Sequence, residues 1–202
     1  MKTTFLLTLF LVFAFIPSAK ADLVDTDGDP IRNGGSYYIF PALWRHGGPV
    51  SLQAKGNETC PLTVVQAFSE LAHGWPTRLS SPYRILFLPT DFIMEFIVES
   101  PPNCAATPAR WTIVGGEDET KQVKLEEYEP EDTIMSTSTR GWFKIQTYHG
   151  TTYKMVYCPT DDDPCRALGL SKDEKINRPL VIADDDDDPF VVVFRKVESP
   201  AD

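Results

Sequence analysis

The sequence predicts an all-β fold, a sandwich or a closed barrel of roughly a dozen short strands. Three observations carry that prediction. Apolar and aromatic residues come in short runs, four to eight residues long and rich in Val, Ile, Phe, Tyr and Trp, which suit a pleated, half-buried surface. Turn clusters separate the runs: Asn33-Gly34-Gly35, Gly47-Gly48-Pro49, Ser100-Pro101-Pro102-Asn103 and Gly115-Gly116. Seventeen prolines then tell against helices, because each removes a backbone donor and fixes φ.

Taken in order, the first run covers 37–44, where Tyr-Tyr-Ile-Phe follows the Gly-Gly turn. The second, 50–54, opens on Val50 after Pro49, and the third spans 62–67. This third run overlaps the best helical candidate, 63–72, but the β-branched pair Val64-Val65 favours a strand. A fourth run at 84–88 begins with Arg84, and Glu95-Phe96-Ile97-Val98 and Trp111-Thr112-Ile113-Val114 are compact strands between turns. Further runs at 122–128, 143–148, 153–158, 180–183 and 190–197 complete the set. Three blocks of about sixty residues, near 22–80, 81–140 and 141–202, each hold about four strands, a weak repeat that favours a barrel with threefold character.

The N-terminus points to a compartment. Lys2 supplies a basic charge, residues 5–16 are almost unbroken apolar sequence, and Pro17-Ser18-Ala19-Lys20-Ala21 has the small residues of a cleavage site. Residues 1–21 are thus expected to be a secretory signal peptide cut after Ala21, too short to span a bilayer. Residues 22–202 are then expected to form one domain, large enough to bury a real core. The whole chain has a formal net charge of −10, and losing Lys2 and Lys20 makes the mature protein more negative still. Nucleic acid and anionic membranes are poor partners for such a surface. Four cysteines in an oxidising compartment suggest two disulfides, for which three pairings are possible. Cys158 and Cys165 are close enough to staple a local loop, which leaves Cys60 with Cys104.

The segment most suggestive of function is Ser80-Ser81-Pro82-Tyr83-Arg84-Ile85-Leu86-Phe87. One basic side chain stands in an otherwise apolar extended run. A trypsin-like protease needs a long cation for its acidic specificity pocket, on backbone it can pair with as a strand. Pro82 fixes its own φ and biases Ser81 toward extended conformations, lowering the entropy cost of docking. In isolation, an Arg between apolar residues more often caps a strand edge or snorkels to solvent, by roughly three to one; the rest of the chain is what turns the reading toward function.

Other features carry less chemistry. Asp184 to Asp188 lacks the interleaved Gly and distal Glu of a calcium loop and reads as a solvated connection, as does Asp161-Asp162-Asp163. His46, His73 and His149 share no metal-ligand spacing, and no nucleophile-elbow motif accompanies any Ser. The four tryptophans read as packing. No enzyme activity, metal or cofactor is expected. Asn57-Glu58-Thr59 is an N-glycosylation acceptor sequon beside a turn.

A resemblance runs along nearly all of the chain after residue 21. Residues 23–39, beginning Leu23-Val24-Asp25-Thr26-Asp27-Gly28-Asp29-Pro30 and including Asn33-Gly34-Gly35, are similar to the opening signature of plant Kunitz inhibitors of the soybean trypsin inhibitor type. Residues 57–66, residues 80–87, Gly141-Trp142-Phe143, residues 153–159 and the closing Pro189-Phe190-Val191-Val192-Val193-Phe194 resemble later stretches of the same family, in order along the chain. The resemblance implies a β-trefoil, six strands forming a short barrel and six a cap, with disulfides Cys60–Cys104 and Cys158–Cys165. It implies a reactive bond at Arg84–Ile85, with Arg84 as the P1 residue, in a loop that includes Ser81, Pro82, Tyr83 and Leu86. Asn33 takes the place of the family's loop-supporting residue. Leu86 departs from the soybean inhibitor, which carries a second basic residue there. The implied partner is a trypsin-like serine protease, bound one to one by a monomer that is secreted or vacuolar. Relatives of other classes act as seed storage albumins, as taste-modifying or lectin-like proteins, or as inhibitors of subtilisin or α-amylase. An intact Pro-Tyr-Arg-Ile favours trypsin inhibition over these.

Overall fold

The computed structural model describes residues 22–43, 47–115, 120–126, 138–139, 142–160, 164–184 and 188–198. The expected leader, His46, Asp161 to Asp163 and Asp185 to Asp187 lie outside them. Thirteen strands and no helix occur among the described residues. In chain order they are β1 (Ser36–Pro41), β2 (Val50–Gln53), β3 (Thr63–Gln66), β4 (Thr77–Ser80), β5 (Glu95–Val98), β6 (Trp111–Val114) and β7 (Gln122–Leu125). The series continues with β8 (Ser138–Thr139), β9 (Trp142–His149), β10 (Thr152–Cys158), β11 (Arg166–Leu170), β12 (Arg178–Ile182) and β13 (Val191–Lys196).

Six of them close a ring. β1 pairs with β4, β4 with β5, β9 with β10, β10 with β13, and β13 returns to β1, all antiparallel. The Met94–Phe143 bridge joins β5 to β9 and completes the circuit. Closure leaves no free sheet edge in the barrel. Three hairpins, β2–β3, β6–β7 and β11–β12, cover one end. They meet pairwise at Arg178–Gln66, Val181–Gln122 and Thr63–Lys124, one contact for each side of a triangle. This is a β-trefoil, in which β8 is a short addition on the edge of β6.

Side-chain alternation explains why these residues fill a barrel. Along β1, Tyr37 and Ile39 are buried, and along β13 Val192 and Phe194 are. β9 contributes Phe143 and Ile145, and β10 contributes Tyr153, Met155 and Tyr157. An aromatic cluster fills the interior: Phe96 stacks on Trp111 with ring centroids 4.6 Å apart, and Phe143 meets Phe96 edge-on at 5.4 Å. Such geometry suits the ring quadrupoles, beyond simple area burial. Both disulfides form as expected, Cys60–Cys104 and Cys158–Cys165.

Three differences from the sequence reading have physical causes. Residues 84–88 form no strand: the Ile85 carbonyl is taken by a side chain described below, and Phe87 makes only an isolated bridge to Arg32 in the N-terminal segment. β4 and β11 were not anticipated: Thr77-Arg78-Leu79-Ser80 has one apolar residue, and Arg166-Ala167-Leu168-Gly169-Leu170 has no β-branched one. β9 closes the second repeat instead of opening the third, since its ring neighbour is β5. The threefold blocks therefore run β1–β4, β5–β9 and β10–β13.

Candidate inhibitory loop and its family

The segment after β4 leaves the barrel between two buried anchors. Leu79 and Leu88 are fully buried, and Ser81 is nearly so. Between them Pro82, Tyr83, Arg84 and Leu86 are exposed and Ile85 is half-buried. The returning end is held by the N-terminal segment. Leu88 N–H donates to the Ile31 carbonyl (2.9 Å), and Leu23 N–H donates to the Leu88 carbonyl (2.9 Å). Arg32 bridges Phe87 through the backbone and lays its guanidinium over the Phe87 ring, 5.9 Å from the centroid.

Asn33 fills the space beneath the exposed arc. Its amide Nδ2 lies within hydrogen-bond distance of the carbonyls of Ser81 (3.3 Å), Tyr83 (3.0 Å) and Ile85 (3.2 Å). Two N–H bonds cannot each serve three acceptors fully, so at least one is shared. Asn33 Oδ1 accepts the Ser81 N–H at 2.8 Å, and Asn33 N–H donates to the Leu86 carbonyl at 2.9 Å. One residue thus touches four positions of the arc, at both its ends and its middle.

The turn that places Asn33 is built from its neighbours. Gly34 sits at φ +82°, a conformation that costs a side-chain-bearing residue energy, and its N–H donates to the Leu79 carbonyl at 2.7 Å. A Cβ on Gly35 would come within 2.9 Å of the Tyr37 ring. Below it the buried Tyr37 hydroxyl accepts the Arg32 N–H at 2.9 Å. Burial raises the Tyr37 hydroxyl above its ordinary value, the Arg32 bond opposing only in part, so this acceptor stays a neutral phenol.

What the arc leaves free matters as much. The carbonyls of Ser81, Tyr83, Ile85 and Leu86 are bonded inward, whereas that of Arg84 has no partner among the described residues. The Arg84 guanidinium likewise has no ion pair among them. The two other basic residues that precede an apolar one in this region are engaged. Arg78 faces Glu99 at 3.6 Å from within β4, and Arg110 faces Glu95 at 3.0 Å. The structure therefore brings Asn33, Ser81, Pro82, Tyr83, Arg84, Ile85 and Leu86 into one unit.

Sequence reasoning missed Phe92, whose ring the exposed Tyr83 meets edge-on at 5.5 Å, and missed Tyr37 as a prop for the Asn33 turn. It also missed the clamp on the loop's far side, where Asp91 N–H donates to the Ile145 carbonyl and Gln146 Nε2 to the Asp91 carboxylate. The only signal for Phe92 was its aromatic character eight residues past Arg84; for the others there was none. Among the described residues no group of three His, Cys, Asp or Glu is placed to hold a metal.

Comparison with known proteins decides the family. Residues 23–196 match the legume Kunitz family model, described as trypsin and protease inhibitors. The chain belongs to the legume Kunitz inhibitor family. Trypsin inhibitor 1A of Psophocarpus tetragonolobus is 38% identical over 179 residues, covering 88% of this chain and 98% of that one. Among solved structures, a Kunitz-type trypsin inhibitor from Cicer arietinum superposes with a TM-score of 0.77 at 29% identity, over 88% of this chain and 99% of that one. Soybean trypsin inhibitor in complex with porcine pancreatic trypsin gives a TM-score of 0.74 at 32% identity, with the same coverage. This is a family of protease inhibitors, not enzymes.

Proposed function

We propose that this chain inhibits trypsin-like serine proteases by presenting Arg84–Ile85 as a bond that is bound like a substrate and turned over poorly. The observation that carries the proposal is the convergence of the arc's carbonyls on Asn33 while the Arg84 carbonyl and side chain stay free. Arg84 enters the protease's acidic pocket, where its guanidinium forks onto a carboxylate. The free Arg84 carbonyl is available to the oxyanion hole. Little ordering entropy is lost, because the arc is already tethered between Leu79 and Leu88. After hydrolysis, Asn33 would still hold the Ser81 and Tyr83 carbonyls on one side of the cut and the Ile85 carbonyl on the other. The new amine at Ile85 therefore stays beside the acyl group, and religation competes with release. The exposed Leu86 offers an apolar contact beyond the bond.

Residues 1–21 are proposed to be a leader that directs the chain into the secretory pathway. Support comes from the apolar run at 5–16, the small residues at 17–21 and the two disulfides. The test is titration of trypsin, chymotrypsin and subtilisin with the purified protein, followed by sequencing of any nicked product. Stoichiometric loss of trypsin activity with a new N-terminus at Ile85 is the expected result. A new terminus elsewhere would reassign the reactive bond.

A further inference from the structure

We propose that Asn57 carries an N-linked oligosaccharide, mounted on the end of the barrel away from the inhibitory loop. The inference rests on the secretory-pathway reading of residues 1–21. Of the four asparagines, Asn57 alone is followed by any residue but Pro and then Thr or Ser. The sequon alone is a short motif, and the structure adds three things to it.

First, the sequon lies on the turn between β2 and β3, with Gly56 at φ +58° and Glu58 N–H donating to the Lys55 carbonyl at 3.0 Å. Asn57 and Thr59 are exposed, and neither side chain has a partner among the described residues. Glu58 between them is turned the other way, bonded to Lys124 Nζ (2.6 Å) and Thr63 Oγ1 (2.7 Å). The middle residue anchors the turn, and the two groups a glycosyltransferase must read, the amide and the hydroxyl, belong to exposed residues on either side of it.

Second, the disulfide beside the sequon does not close in time to hide it. Cys60 pairs with Cys104, 44 residues further along. At synthesis rates of roughly 5–20 residues per second, Cys104 follows Cys60 by about 2–9 seconds. During that interval Asn57-Glu58-Thr59 is available on an uncrosslinked chain.

Third, the location is compatible with inhibition. β1 begins beside the loop, where Gly34 and Gly35 are bonded to Leu79, and runs toward the hairpin cap that holds Asn57. A glycan there extends from the cap, the barrel lying between it and Arg84.

The test is expression of the full chain with its own leader in plant or insect cells, then peptide mapping after peptide N-glycosidase in heavy-oxygen water. The expected result is a secreted protein beginning near Asp22, with Asn57 converted to labelled Asp. Asn57→Gln and Thr59→Ala should each abolish the mass loss on deglycosylation, and Thr59→Ser should retain it. Trypsin titration of the protein before and after deglycosylation should give the same dissociation constant. A peptide recovered only with unmodified Asn57, from protein whose leader has been removed, would overturn the glycan. Protein retaining its leader would overturn the compartment reading and the glycan with it, whereas glycosylated protein that fails to titrate trypsin would count against the inhibitory function alone. Weaker inhibition that recovers on deglycosylation would overturn the placement clear of the protease.

Discussion

Asn33 holds both backbone polar groups of Ser81, accepting the Ser81 N–H at Oδ1 (2.8 Å) and approaching the Ser81 carbonyl with Nδ2 (3.3 Å). The pair fixes the point at which backbone leaves β4 and becomes the exposed arc. Forty-eight residues separate the two partners, which the pairing of β1 with β4 brings together. The loop's shape is thus a property of the folded barrel.

Asn33→Ala should consequently leave the fold intact and loosen the arc. Losing the bonds to Ser81, Tyr83 and Ile85 is expected to cost about 1–3 kcal/mol, the usual cost of stranding partly buried polar groups. Asn33→Asp should be worse, since a carboxylate would face three carbonyls with no N–H to offer. On long incubation with trypsin, both variants should be cut after Arg84 faster than wild type. Equal persistence of all three would remove Asn33 from the mechanism.

At the other end of the barrel, Glu58 joins two of the three hairpins. Burial by itself would raise its pKa, but hydrogen bonds from Lys124, Thr63 and the Lys55 N–H outweigh it and hold the carboxyl below its ordinary value. A carboxyl depressed on folding stabilises the protein above its unfolded value of about 4.3, and that contribution is lost as pH falls through the lower folded value. Glu58→Gln should therefore lower the urea midpoint at neutral pH by an amount corresponding to about 1–3 kcal/mol. The gap to wild type should narrow in acid. A gap independent of pH would assign the loss to packing and not to charge.

The two staples should contribute unequally. Cys60 and Cys104 lie 44 residues apart, against 7 for Cys158 and Cys165. In the chain-entropy model these loops correspond to about 4 and about 2.5 kcal/mol. Replacing Cys60 and Cys104 with Ser should lower the melting temperature more than replacing Cys158 and Cys165, as calorimetry of the two double variants would show. The reverse order would mean that the local loop of the third repeat limits stability.

How far the sequence could be read follows from where each signal resides. Glu95-Phe96-Ile97-Val98 and Trp111-Thr112-Ile113-Val114 were legible to the residue, because compact apolar runs between turn clusters need no partner to be recognised. β4 and β11 were not, since their strand character comes from neighbours: Leu79 is held opposite Phe96, and Gly169 opposite Val181. Arg84 stood out as a lone cation among apolar residues, and the Asn33-Gly34-Gly35 turn was visible from its composition. That Arg84 and Ile85 would lie on an arc and not in a strand depended on a side chain 52 residues from Ile85, beyond the reach of local pattern. The contact of Gln146 with Asp91, 55 residues apart, is of the same kind.

The strongest test falls on Arg84. The side chain is exposed, and no hydrogen bond or ion pair engages it among the described residues. Removing it should therefore leave folding stability within about 0.5 kcal/mol of wild type. In the complex it would be the buried cationic anchor, and its loss would leave the protease's pocket carboxylate desolvated and unpaired. Arg84→Ala should then weaken trypsin binding by about 2–8 kcal/mol, the range of dominant interface residues. Arg84→Lys should preserve most of the affinity, because an ammonium on a four-carbon stem also reaches the pocket carboxylate. Arg84→Phe should shift preference toward chymotrypsin-like enzymes, whose pocket is apolar. Arg78→Ala and Arg110→Ala serve as controls: each removes a cation already facing Glu99 or Glu95, and neither should change the titration of trypsin. Inhibition constants for the five variants, measured beside their thermal midpoints, separate binding from folding. If Arg84→Ala still titrates trypsin with undiminished affinity, the reactive bond lies on another loop, and the convergence on Asn33 serves only the barrel.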